Sequence, residues 1–214
     1  MSVNRSEYFS FYSHLFGAIA ALVGCGILLY KSVGSIPHIL VSTIYGLCSI
    51  LLFTSSTLYH SRKKSENAIN ALRRLDHIAI FFMIAGTYTP ICYIYLDGCW
   101  RWSVIGVQWL LVGLGLFFKI FYLRAPRWLN TMIYILMGWM ALIPITQFLT
   151  TMSLTTLLLL FAGGAAYTIG AIIYAFKKPN PLPGIFGFHE IFHFFILAGA
   201  ALHYAVVYRA ITGT

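Results

Sequence analysis

Charge is scarce in this chain: of 214 residues, 9% are Asp, Glu, Lys or Arg, and only five are acidic. An average soluble domain is about 25% charged, so water is not the main solvent of a sequence that is also 60% hydrophobic. Cysteine is sparse as well. Cys25, Cys48, Cys92 and Cys99 form no Cys-x-x-Cys pair, which argues against redox or thiolate-metal chemistry and leaves them as small apolar residues. The chain has no internal repeat and no low-complexity tract. No Lys occurs after Lys178, which excludes a retinal Schiff base in the last helix.

What is present is a series of long apolar runs. A hydrocarbon core roughly 30 Å thick needs about 20 apolar helical residues per crossing. The runs predict an all-α integral membrane protein, a single domain over 1–214 with seven transmembrane helices near 13–30, 38–60, 75–96, 102–119, 128–149, 153–176 and 186–208. Breakers stand where turns are needed: Pro37, Asp97-Gly98, Ala125-Pro126 and Pro179-Asn180-Pro181-Leu182-Pro183-Gly184. Pro90 and Pro144 fall inside spans and predict kinks, tolerated where neighbouring helices satisfy the freed carbonyls. Leu22-Val23-Gly24-Cys25 looks like a lipoprotein processing box, but the run stays apolar to Tyr30, so the first helix is read as a retained span.

The formal charge of +9 does not point to nucleic acid, because the cations sit in short loops between apolar runs, where they set topology and face anionic lipid headgroups. With seven spans, the N-terminus shares a side with Arg5, Arg62, Lys63, Lys64, Arg73, Arg74, Lys119, Arg124, Arg127, Lys177 and Lys178. The other side holds Lys31, Arg101 and Arg209. Cytoplasmic loops retain Lys and Arg, so the N-terminus is expected in the cytoplasm and the C-terminus outside.

Ionisable side chains at membrane depth are costly and mark functional sites. His60 ends the second helix, Asp76 begins the third, and His189 and His193 open the seventh, all on the expected cytoplasmic side; His14 is at the same level. His189 and His193 are spaced i, i+4 and share a face, so both can grip one ion; Ser56 and His60 share a face in the same way. Three imidazoles with one open position form the pattern of a catalytic zinc site, to which Asp76 adds either a ligand or a base for a bound water. The competing reading is that these residues only glue helices together by hydrogen bonds. The coincidence of the pair, His60 and Asp76 at one depth favours a metal. His38 lies at the opposite end, His203 is about 15 Å further along its helix, and His77 points about 100° away from Asp76.

His189-Glu190-Ile191-Phe192-His193 also fits the His-Glu-x-x-His pattern of zinc proteases, with Glu190 as general base. The downstream candidate for a third ligand is His203, too far along the helix, so this reading is not preferred.

Ser56-Thr57-Leu58-Tyr59-His60, Asp76-His77, Ala85-Gly86-Thr87-Tyr88-Thr89-Pro90, and His189 with His193 ahead of His203 together resemble the haemolysin III proteins, the bacterial branch of the progestin and adipoQ receptor family. Ser13-His14 and Met137-Gly138-Trp139 extend the resemblance over nearly the whole chain. It implies a multi-pass protein of the bacterial inner membrane with zinc on His60, His189 and His193, Asp76 reaching zinc through water, and Ser56 beside the site. Eukaryotic relatives, the adiponectin receptors, are implicated in hydrolysing lipid amides such as ceramide; bacterial members are linked to haemolysis and membrane lipid homeostasis.

Three functions compete. An open three-histidine site facing an apolar cavity suits a zinc-dependent hydrolase of a lipid amide or ester, with the lipid held in the bundle. A non-enzymatic lipid-sensing or homeostasis protein would use zinc only to tie helices together. A pore-forming haemolysin is disfavoured by the lack of an amphipathic lytic segment.

Overall fold

The computed structural model of the protein describes residues 7–62, 66–121, 127–182 and 185–214. Arg5, Lys63, Lys64 and Arg124, which enter the orientation argument, and the breakers Ala125-Pro126 and Pro183-Gly184 lie outside the described residues. Those residues form α1 (Tyr8–Lys31), α2 (Ile36–Ser61), α3 (Glu66–Tyr95), α4 (Gly98–Phe121), α5 (Arg127–Gly138), a 3-10 turn (Trp139–Leu142), α6 (Ile145–Thr151), α7 (Leu154–Phe176) and α8 (Phe188–Thr212). Six of these helices are long and apolar enough to cross a membrane. The segment Trp128–Leu142 and α6 pass the same test together as a pair bent by 54°. The chain is thus a helical, multi-pass membrane protein of six spans, or seven where the bent pair makes one.

The caps follow from local chemistry. Ser35 precedes α2 and accepts from the His38 N–H at 3.4 Å, with Pro37 in the first turn where its missing donor costs nothing. Ser153 does the same for α7, accepting from the Thr156 N–H at 3.3 Å. In sequence order α1 packs on α2, α2 on α3, α3 on α4 and α7 on α8; α8 also meets α1 and α3, which closes the bundle.

Burial is inverted relative to a soluble protein. Phe16, Leu22, Ile36, Leu110, Phe117 and Leu158 are each at least 60% exposed on the outer face, while Ser56, His60, Gln108, Lys119 and His193 are almost fully buried. In hydrocarbon no water compensates a polar group, so each must find a partner inside. Ser49, Thr57, Thr87 and Thr89 accordingly donate to carbonyls one turn back in their own helices, at 2.7–2.9 Å.

The expected span 128–149 contains a break. Pro144 carries no N–H, and its ring obstructs the carbonyl four residues earlier. Neighbouring helices repair the damage. Tyr88 of α3 donates its hydroxyl to the Gly138 carbonyl and accepts from the Ala141 N–H, both at 2.7 Å, while Gln108 of α4 donates to the Met137 carbonyl at 2.9 Å. Pro90, also expected to disturb its span, lies within α3, which continues to Tyr95.

Tyr88→Phe removes one hydroxyl and leaves a buried carbonyl and a buried N–H unsatisfied. The expected loss is about 1–3 kcal/mol in a reversible unfolding titration in mixed micelles. Tyr30→Phe, at a side chain 75% exposed, should stay within about 0.5 kcal/mol of wild type. Equal effects of the two changes would remove Tyr88 from the role of helix splint.

Candidate metal centre

Four helix ends meet at one end of the bundle: the start of α1, the last turn of α2, the first half of α3 and the start of α8. His60, His189 and His193 converge there, each with a ring nitrogen within 4.8 Å of the others. His189 Nε2 stands 3.5 Å from His60 Nε2 and 3.2 Å from His193 Nε2. One nitrogen cannot satisfy two such neighbours by donating a single proton, whereas a shared cation satisfies all three. Tetrahedral ligands 2.0–2.1 Å from zinc stand about 3.3 Å apart. The donor set and its spacing therefore fit that ion.

Glu7, just ahead of α1, accepts a hydrogen bond from His60 Nδ1 at 2.7 Å. A carboxylate on Nδ1 keeps the proton there and turns the Nε2 lone pair toward the other two histidines, the usual support of a metal-binding imidazole. His60 is 1% exposed and Glu7 8%. Sequence reasoning did not single out Glu7. The available signal was that it is one of few acidic residues and shares a helical face with Ser10 and His14, at i, i+3 and i+7.

Asp76 lies outside the cluster of three nitrogens but lines the same cavity, with its carboxyl group facing Ser56 and within electrostatic reach of His60. His14 also lines it. Its ring stacks on His193 with centroids 3.8 Å apart, and neither of its nitrogens has a hydrogen-bond partner among the described residues. The cavity has a volume of about 180 Å³ and runs from Arg73 and Asp76 past Met83 and Tyr134 to Trp139 and His203. A buried water needs about 10–15 Å³, so there is room for several waters or a length of lipid chain. The metal-binding end is polar; the walls beyond it are formed largely by Ile, Met and aromatic side chains.

His38, His77 and His203 lie outside the cluster of three nitrogens. His38 sits at the opposite end of α2. His203 lines the deep end of the cavity, where its Nε2 donates to the Leu160 carbonyl at 3.1 Å, away from the cluster. His77 lines the cavity next to Asp76 and stands 3.4 Å from Lys119 Nζ. Lys119 corrects one expectation: it does not face lipid headgroups but is 0% exposed, held by Asn130 Oδ1 at 2.5 Å.

Glu190 is a helix cap. Its Oε2 accepts from the Gly187 N–H at 2.8 Å, and its Oε1 accepts from the Ser10 hydroxyl at 3.2 Å. Both oxygens are thus engaged at the α1–α8 contact, which leaves none for the general-base role of a protease. Gln can serve the same position of a capping box. Glu190→Gln should therefore melt near wild type, whereas Glu190→Ala should cost about 0.5–2 kcal/mol, the usual worth of a helix cap. A Gln variant as unstable as the Ala variant would count against the capping role.

The sequence has counterparts among known proteins. The family profile described as "Haemolysin-III related" matches residues 3–204. The chain is 35% identical over 207 residues to Hemolysin-3 of Bacillus cereus, covering 95% of this chain and 90% of that protein. It is 35% identical over 188 residues to the Hemolysin-3 homolog of Bacillus subtilis (strain 168), covering 86% and 84%. More distantly, it is 26% identical over 230 residues to the Adiponectin receptor protein of Drosophila melanogaster, covering 94% of this chain and 49% of that protein. Helical membrane architecture, profile and relatives agree: the chain belongs to the haemolysin III family.

Proposed function

We propose that the protein is a zinc-dependent hydrolase of lipid amide or ester bonds, working in membrane lipid homeostasis. The observation that carries this reading is the convergence of three imidazole nitrogens, with His189 Nε2 3.5 Å from His60 Nε2 and 3.2 Å from His193 Nε2, at the polar end of a cavity that also holds Asp76. His60, His189 and His193 would hold the ion, with Glu7 orienting His60. When bound, zinc supplies Lewis-acid polarisation of the acyl carbonyl and a more acidic water. Asp76, as a carboxylate, accepts the proton that the attacking water loses and returns it to the departing amine or alcohol. Ser56, which that carboxylate faces, would help to keep it aimed into the cavity. The apolar walls beyond hold the acyl chain and exclude bulk water.

In this reading the bent pair of helices is one span, which makes seven. The N-terminus is then cytoplasmic, the C-terminus outside, and the site opens toward the cytoplasmic leaflet of a bacterial inner membrane. A reporter fused after Thr214 should be active only outside the cytoplasm; cytoplasmic activity would reverse the orientation.

Purified protein should carry about one zinc per chain by elemental analysis. His60→Ala, His189→Ala and His193→Ala should each lower occupancy sharply, and His38→Ala and His203→Ala should not. Glu7→Gln should retain the site but weaken zinc about 10–100-fold in competition with a chelator. Asp76→Asn should keep zinc and lose about 10²–10⁴-fold in turnover of a lipid amide or ester. Loss of zinc in that variant would make Asp76 a direct ligand.

A second reading keeps the ion as a structural tie between α2 and α8, and the near-complete burial of His60 and His193 favours it. A zinc-loaded wild type that hydrolyses no member of a broad lipid panel would select this reading. The haemolytic activity in the names of its relatives would then reflect membrane disturbance, with no chemistry at the site.

A further inference from the structure

Among the described residues, Lys119 is the largest fully buried side chain. Its Nζ contacts Asn130 Oδ1 at 2.5 Å and His77 Nδ1 at 3.4 Å, with the rings of Phe118 and Tyr134 each 5.9 Å away. His77 and Asn130 are both part of the cavity wall, so this ammonium lies directly behind it. Arg73 lines the same end of the cavity and is close enough to repel Lys119. Arg73, Asp76, His77 and Ile80 follow the i, i+3, i+4, i+7 pattern along α3 and all line the cavity.

Two cations therefore stand at the Asp76 end of the cavity, Arg73 about one turn before Asp76 on α3 and Lys119 against the neighbouring His77. Among the described residues, no carboxylate oxygen lies within 4 Å of either cation: the ion pairs are Glu7 with His60 and Asp97 with Arg101. Glu190 is engaged with Ser10 and Gly187. Among the described side chains, Asp76 is the carboxylate nearest Arg73, and one carboxylate does not balance both Arg73 and Lys119. A buried charge without a counter-charge is expensive at membrane depth, and such charges mark ligand pathways.

We propose that Arg73, backed by Lys119 through His77 and Asn130, forms a receiving site for an anionic group, a carboxylate or phosphate, so that the cavity takes acidic amphiphiles. Arg73 supplies a planar set of donors suited to either anion, and Lys119 places its ammonium behind the wall, where a bound anion would favour its charged form. This deepens the proposed hydrolase and rests on it only in calling the bound molecule a substrate or product.

The test uses the full chain in neutral detergent. Binding of dodecanoate, dodecyl phosphate and dodecanol is followed by intrinsic fluorescence, for which Trp139 in the cavity wall is a reporter. Wild type should bind at least one of the two acids tenfold or more tightly than the alcohol. Arg73→Gln and Lys119→Met should each bring that ratio below threefold, and Lys119→Arg should preserve most of it. Zinc content, measured in parallel, should not change.

Inorganic phosphate serves as the chain-free arm. If it matches dodecyl phosphate in affinity and depends equally on Arg73, the anion site stands and its occupant is a free anion. Equal affinity of wild type for acids and alcohol overturns the proposal. So does an acid preference that survives Arg73→Gln, whether or not Lys119→Met folds. If zinc or turnover is missing but acid preference and its dependence on Arg73 persist, the hydrolase reading fails and the anion site stands.

Discussion

Hydrocarbon offers no hydrogen bonds, so a polar atom the chain brings into the bundle is costly unless another part of the protein answers it. This constraint explains features that look unrelated. The Ser and Thr side chains bond back to their own helices, Tyr88 splints the break ahead of Pro144, and Gln108 takes up the Met137 carbonyl. It also explains why the polar residues that remain are concentrated at one end. There Glu7 answers His60, Ser10 answers Glu190, and three imidazoles face one another. The fold and the site are two results of one rule.

Helix α1 illustrates the connection. By length and apolar character it is an ordinary span, with a largely lipid-facing surface that includes Tyr12, Phe16 and Leu22. Yet its first turns carry Glu7, Ser10 and His14, which reach His60 of α2, Glu190 of α8 and the ring of His193. Docking of α1 is therefore coupled to the aim of two of the three histidines. The steric fit is also close: a Cβ on Gly46 would collide with Cys25, and one on Gly17 with Phe53. Small residues let the membrane helices approach until these polar contacts can form.

What was legible in the sequence followed from periodicity and depth. The i, i+4 spacing of His189 and His193, and the placement of His60 at the matching end of its helix, located the three-histidine cluster because helix geometry is local and predictable, whereas Asp76, read as opening its helix, is the eleventh residue of α3 and lies beside the cluster. The apolar runs located the spans for the same reason, although α3 starts at Glu66, before the expected 75, and 128–149 resolves into two helices and a turn. The partners across the bundle were not legible. Glu7 meets His60 over a separation of 53 residues, and no spacing rule encodes that pairing. Lys119 at the end of an apolar run reads as a topology signal, and only packing against Asn130, His77 and Tyr134 turns it inward. Glu190 fitted a protease pattern because five residues carry little information; its place one turn into α8 makes it a cap.

Whether the three-histidine cluster suits turnover or only cross-linking depends on what lies in the fourth direction. Structural zinc sites are closed, usually with four protein ligands, and catalytic ones leave a position for water or substrate. Here Glu7 is engaged with Nδ1 of His60, the side of the ring away from the shared nitrogens, and Glu190 is bound to Gly187 and Ser10. Neither carboxylate is arranged as a fourth ligand. Asp76 stands outside the nitrogen cluster, on the cavity wall with Ser56 beside it. His189 and His193 line a cavity whose near wall includes His14, Arg73, Asp76 and Ser56 and whose far walls are largely apolar. A carboxylate at membrane depth is costly to maintain, and Asp76 stands with Ser56 and Arg73 beside it on the cavity wall. That cost is intelligible if Asp76 accepts and returns protons at the place where a lipid carbonyl and water meet.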